Sequence, residues 1–284
     1  MERVQTFNPF VQHQSHSKGS LITYRILAVI SLLLVVAIGI GFSVKAPPNG
    51  LTIWQQNEAH PTPFSLNLQI VWVYWVLLFV LQFGYVYILY VFNTEHVNRA
   101  ANVGSHFILN NILMSAFIIL WVYSHFWIGE VMLVLNYINL KTLYFRHLRT
   151  PRYVHVPVVT APLAWNFVAL FSNGAVAVNS HTFAARVAAN VAIWSILLYG
   201  LFFLLAFKDY AIGFELSILL LALAVQQIRI HTVALQWIFA LVIMGLLLLV
   251  TLVFAIPPMF GKELILFAGD DDDDEDRERE PLLA

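Results

Sequence analysis

The residues able to carry chemistry are few and lie in strongly apolar surroundings. Glu130 and Lys141 share one apolar stretch, about three helical turns apart. On a helix they would occupy one face but sit about 16 Å apart along the axis, too far to pair with each other. Each needs a partner from another helix or must reach an interface. Ionisable groups inside a membrane are costly and point first to proton or substrate handling. The plainer reading is that Glu130 sits near one interface while Lys141 snorkels to the other. Asn136 and Asn139 lie between them, and Asn166 falls in a later apolar stretch. His106 and Asn110 are one turn apart, so they share a face, with Ser105 placed to cap that helix. Histidine there is a possible proton carrier or base. Glu215 is a further acid in an apolar run, close enough to Lys208 and Asp209 to belong to their interface. Together Glu130, Asn136, Asn139, Lys141, His106, Asn110, Asn166 and Glu215 form a candidate intramembrane polar pathway. Their alternative role, shared with Gln82, Asn111, Asn173 and Asn190, is to tie helices together by amide hydrogen bonds.

Several chemistries are excluded or unsupported. The chain has no cysteine, which removes disulfides, thiolate catalysis, iron–sulfur clusters and cysteine-type zinc sites. The 10 histidines are scattered, and no phosphate loop or HExxH pattern occurs. No metal, cofactor or nucleic-acid partner is expected.

The elements that must position these residues are membrane spans. Hydrophobic residues make up 60% of the 284-residue chain and charged residues 11%, against about 25% charged in a soluble domain. A span needs about 20 mostly apolar residues. Such stretches run over 26–44, 68–92, 106–122, 127–145, 157–178, 185–206, 210–227 and 233–256. The expected fold is therefore all-α, a polytopic transmembrane bundle of about eight spans. Spans three and four, and six and seven, are joined by loops short enough to make tight hairpins. Pro257-Pro258 should stop the last span. The first 20 residues are polar, so a signal-anchor span is expected rather than a cleaved leader.

Orientation follows from Lys and Arg placement. With the N-terminus in the cytosol, cytosolic segments hold 11 of the 15 Lys and Arg residues. Opposite loops hold only Lys45, Arg186 and Arg229, and Lys141 lies in a span. Both termini are then cytosolic. Residues 1–25 form a polar tail, 26–256 the helical domain and 257–284 a second tail. The basic loop with Arg146, Arg149 and Arg152 would meet anionic lipid, or serve topology alone. The C-terminal tail carries DDDDDEDREREPLLA, a self-repelling run. Glu278 with Leu282 and Leu283 fits an acidic dileucine sorting signal, and Asn8-Pro9-Phe10 resembles another short trafficking motif. These imply a trafficking adaptor as partner, beside membrane lipids, and an endomembrane location such as the vacuolar membrane.

Six stretches, LTIWQQNEAHPTPF, VGSHFILNN, LYFRHLRTPRYVHVPVV, APLAWNFVAL, AFKDYAIGF and LQWIFALVIM, resemble a fungal multi-pass membrane family of unknown function. The resemblance runs over roughly residues 7 to 260, without the acidic tail, and implies no activity. A second likeness is to the tryptophan-rich sensory (translocator-protein) type. It rests on Pro61 and Pro63 leading to Trp72 and Trp75, then Pro162-Leu163-Ala164-Trp165 with Asn166. That type has five helices, about three fewer than expected here.

Three functions stay open. The residues fit a transporter, channel or small-ligand binder best. A structural or assembly protein is the alternative. An intramembrane enzyme acting on lipid, with His106 or Glu130 as base, is less well served, because no paired acid and base occurs.

Overall fold

The computed structural model describes residues 16–91, 94–148, 150–178 and 182–259. Ser17 opens α1 (Lys18–Val44) by accepting from the Ser20 N–H, which satisfies one of the orphan donors of a first turn. The span thus begins well before residue 26. Its Arg25 donates to the Leu89 carbonyl at 2.6 Å.

Two short helices had no counterpart in the hydropathy pattern. In α2 (Ile53–Ala59), Thr52 and Gln55 form a reciprocal capping box. After α3 (Leu68–Val91) comes α4 (Thr94–Ala101), which buries Val97, Ala100 and Ala101. Both are too short for hydropathy to separate from loops.

The hairpin α5 (Gly104–Val122) and α6 (Phe126–Arg146) turns at Ser124, which has a φ of 62°. The α5 helix is capped by Val103 without a side-chain bond. Ser105 lies one residue inside the helix and is not its cap. Next come α7 (Arg152–His155), a π-helical turn over Val156–Thr160, and α8 (Ala161–Val178). Pro162 has no N–H to offer a carbonyl within the turn, and Gln82 from α3 supplies a donor to the Pro157 carbonyl at 3.2 Å. The polar interruption of span two therefore repairs the backbone of span five. The sixth span divides at Ile193 into α9 (Phe183–Ala192) and α10 (Trp194–Phe207). It is followed by α11 (Tyr210–Ile230) and α12 (Gln236–Met259). Helix α12 runs through Pro257-Pro258 to Met259, its last turn, where proline's fixed φ is helical although the two residues donate no hydrogen bond to the ladder.

Seven of these helical segments are long and apolar enough to cross a membrane, and α6 is not among them. Yet α6 is 21 residues long and lies antiparallel to α5 from Phe126 beside Trp121 to Asn139 beside His106. Its asparagines, Asn136 and Asn139, face inward. Gly129, Leu133, Asn136, Leu140 and Leu143 are buried, while Val131, Val134, Leu135 and Ile138 are exposed. Burial separates the spans into two kinds. In Arg152–Val178, 72% of the spanning stretch is buried, against 22% in α1. The α8 and α11 segments are therefore central, and α1, the α9–α10 span and α12 form an apolar exterior.

Candidate functional site

The buried amides form a ladder along the inner face of α6. At mid-height, Asn136 Nδ2 donates to Asn110 Oδ1 and to Asn166 Oδ1, both at 2.9 Å. Asn166 Nδ2 donates to the Leu133 carbonyl. Asn110 Nδ2 reaches Asn111 Oδ1, and Asn111 Nδ2 reaches Ser31 Oγ on α1. One cluster thus joins α1, α5, α6 and α8. Nearer the α6 C-terminus, Asn139 Nδ2 donates to the His106 carbonyl while its Oδ1 meets His106 Nδ1 at 2.7 Å. The carbonyl can only accept, so the amide orientation is fixed. His106 Nδ1 therefore carries a proton. Nearer the α6 N-terminus, Glu130 Oε2 accepts from Asn173 Nδ2 at 2.7 Å.

The structure thus brings together Asn110, Asn136 and Asn166, and separately His106 with Asn139. Glu130 belongs to a third group. Lys141 joins none of them; it is exposed on the outer face of α6. Glu215 lies deeper than its sequence position suggested. It is buried within α11, and Thr160 of the π-turn donates to its Oε1 at 3.0 Å. Arg146 and Arg152 are exposed at the end of the bundle, with Arg152 over the Tyr210 ring at 4.8 Å. Arg149, Glu278, Leu282, Leu283 and the Asn8-Pro9-Phe10 segment lie outside the described residues.

Sequence reasoning missed a second polar cluster at the Arg146 end. Asp209 Oδ2 meets His155 Nε2 at 2.8 Å and accepts from the Tyr144 hydroxyl at 2.9 Å, and Asp209 Oδ1 accepts from the Ala211 N–H. Burial pushes the Asp209 carboxyl up, but hydrogen bonds and charge from His155, with those from Tyr144 and Ala211, hold it below its ordinary value. The available signal was an Asp directly before an apolar helix, the usual N-cap type.

It also missed a cavity of about 350 Å³ enclosed by α1, α2, α3, α5 and α8. Trp72, Trp75, Phe79, Phe117, Trp121 and Trp165 contribute to its wall. Trp75 and Trp165 meet edge to face at 5.1 Å. Gly39, Ile40 and Val76 mark its side between α1 and α3, where Ile40 and Val76 are exposed to the outside. Asn173 and Trp165 are among the lining residues. Asn173 Nδ2 is committed to the Phe126 carbonyl and Glu130 Oε2, and Asn173 Oδ1 is buried without a partner among the described residues. Trp165 Nε1 is likewise buried and unpartnered. Each of these two lining residues thus holds one buried polar atom, an acceptor and a donor, without a partner among the described residues. Among the described residues, no three metal-ligating side chains converge.

Long helices with apolar exteriors and amide-linked interiors define a polytopic helical membrane protein. More particularly, residues 186–283 match the family described as fungal protein of unknown function (DUF1774). The match holds AFKDYAIGF, LQWIFALVIM and the acidic tail, whereas the sequence resemblance was drawn over residues 7 to 260 without that tail. No curated protein and no solved structure matches the chain.

Proposed function

We propose that this protein binds a small lipid-phase molecule in the aromatic cavity between α1, α3, α5 and α8. The observation that carries the reading is the aromatic cavity, whose lining residues Asn173 and Trp165 each hold a buried polar atom without a partner among the described residues. A buried polar atom without a partner costs about 1–3 kcal/mol. A ligand hydroxyl or amine would satisfy Asn173 Oδ1, and Trp165 Nε1 offers the reciprocal donor. The ligand class is an apolar molecule bearing one such group, entering from the bilayer between α1 and α3. The amide ladder serves as scaffold in this reading, since the cavity is lined by none of Glu130, Asn136, His106 and Asn166.

Photo-crosslinking tests it. A long-chain alcohol carrying a diazirine, added to the protein in nanodiscs, should label Trp75, Trp165 or their cavity neighbours. Asn173→Leu should reduce that labelling about tenfold, in line with the loss of one buried hydrogen bond. A matched alkane diazirine should label weakly in both forms. Equal labelling by alkane and alcohol, unchanged in Asn173→Leu, would remove the polar anchor and with it the proposal.

The location reading is endomembrane, supported by Glu278 with Leu282-Leu283 at the end of the chain. Replacing both leucines by alanine should move a fluorescent fusion from the vacuolar or another late membrane to the cell surface. An unchanged distribution would leave only an integral membrane location.

A further inference from the structure

We infer a binding site for a phosphoethanolamine group in the hollow between α2, the start of α3 and the last turn of α11. Helix α11 begins beside Tyr144, so its last turn lies at the end of the bundle opposite Arg146. The hollow has a volume of about 460 Å³, and Asn57, Glu58, Asn67, Gln69, Gln226 and Arg229 are among its lining. Glu58 comes from α2 and Arg229 from α11, so two helices bring a carboxylate and a guanidinium to one hollow. Both are exposed, and among the described residues they form no ion pair with each other.

Bonds that involve neither charge fix the two helices. The Asn67 N–H donates to the Ala222 carbonyl at 2.9 Å, and Gln227 Nε2 donates to the Thr62 carbonyl at 2.8 Å. These hold the α2–α3 connection against α11. Asn57 Nδ2 donates to the Leu66 carbonyl at 3.3 Å, which holds α2 to that connection. The hollow therefore exists before a ligand arrives, which lowers the ordering cost of binding. Opposite charges that share a hollow without joining match a ligand that carries both signs. A guanidinium pairs with phosphate oxygens through two parallel hydrogen bonds. A carboxylate accepts from the N–H groups of a primary ammonium. A quaternary ammonium such as choline is held by aromatic cages, and none of the lining residues is aromatic. A phosphate without an ammonium would leave Glu58 facing a second negative charge. The charges thus select phosphoethanolamine over phosphocholine and over a purely anionic headgroup. Leu68 and Ile230 add apolar surface to the same lining, where the glycerol and chains of a lipid would rest. The site does not rest on a ligand in the aromatic cavity, whose lining includes neither Glu58 nor Arg229.

The group can belong to a phospholipid headgroup or to the free ester, because the hollow lies at the end of the bundle. The full chain is placed in phosphatidylcholine nanodiscs with its arginine side chains ¹⁵N-labelled. The Arg229 Nε–H signal is assigned by its loss in Arg229→Lys, a change at an exposed position. In one arm phosphatidylethanolamine replaces part of the phosphatidylcholine, and in the other O-phosphoethanolamine is titrated in from solution. A saturating shift of the Arg229 signal in the first arm alone identifies the lipid headgroup. A shift in the second arm shows that the free ester suffices. Phosphatidylglycerol at the same fraction should give no saturating shift. The apparent affinity should fall about tenfold or more in Glu58→Gln, and no more than about twofold in Lys45→Gln, an exposed cation at the same end of the bundle. No shift of the Arg229 signal in either arm overturns the site. So does an equal shift with phosphatidylglycerol, which would mean general attraction of anions. An unchanged affinity in Glu58→Gln also overturns it, since the carboxylate would then play no part. The comparison between lipids is made on the wild-type chain, so the test stands even where Glu58→Gln disturbs α2.

Discussion

At the scale of single residues, the inner amides differ from the outer charges in what their loss should cost. Asn136 gives both amide hydrogens away, to Asn110 and to Asn166. Asn136→Leu keeps most of the volume but strips a donor from two buried oxygens. Interhelical hydrogen bonds in membranes average about 0.6 kcal/mol, because the unfolded chain in lipid also finds partners. An acceptor left buried without a donor costs about 1–3 kcal/mol. The second effect governs here, since both acceptors stay packed. The expected loss is about 2 kcal/mol, read from the midpoint of unfolding in mixed micelles. Lys141→Met should change that midpoint little, because the side chain touches none of the ladder. A Lys141 effect as large as that of Asn136 would mean the exposed lysine has a partner in lipid or in another copy of the chain. The residue types of this ladder were legible in the sequence. Asparagines at 110, 136, 139 and 166 stood out against apolar surroundings. Their pairing was not, because it depends on which helices lie side by side. For the same reason Asn173 reads as one more tying amide, although it is one of the residues lining the cavity.

At the scale of elements, Asp209 fastens one end of the bundle. It joins the last turn of α6 through Tyr144, α7 through His155, and the first turn of α11 through Ala211. Asp209→Ala removes all three links and should cost about 2–4 kcal/mol at neutral pH, each bond contributing about 1 kcal/mol or more. The pH dependence has a definite sign. The folded carboxyl is held below its ordinary value of 3.8. A carboxyl with a depressed folded pKa stabilises above its unfolded pKa, and that stabilisation fades as pH falls through the folded value. The gap between wild type and Asp209→Ala should therefore narrow as pH falls below about 4. Thermal unfolding across that range measures it. A gap unchanged down to pH 2 would show that the link does not require ionised Asp209. The helices themselves were mostly visible in hydropathy, since about 20 apolar residues leave little choice in lipid. The π-turn over Val156–Thr160 was not. It is accompanied by Pro162, which lacks an N–H, and by Gln82 on another helix, which donates to the Pro157 carbonyl, and a single stretch of sequence does not contain both.

At the scale of the whole molecule, α6 decides the topology. By composition seven segments qualify as spans, and an odd number would place the termini on opposite sides. Helix α6 falls short because of its polar residues, of which Asn136 and Asn139 are buried and hydrogen-bonded while Lys141 is exposed. Its ends meet both ends of α5, so it covers the same depth. Were α6 to cross as well, the even count would put both termini on one side, which is what the Lys and Arg bias leads one to expect. The cysteine-free sequence allows a direct test. His125 precedes α6 and Leu148 follows it, and both are exposed. His125→Cys and Leu148→Cys, made singly, should react with a membrane-impermeant maleimide from opposite sides of sealed vesicles. Leu148→Cys should label from the cytosolic side, with Lys208→Cys as its companion. Tags at the two termini should both be digested by protease on that same side. Labelling of His125→Cys and Leu148→Cys from one side would mean that α6 does not cross. The amide ladder would then have to lie outside the bilayer core, and the cavity, walled by α5 and α8 beside it, would lose its access from the lipid.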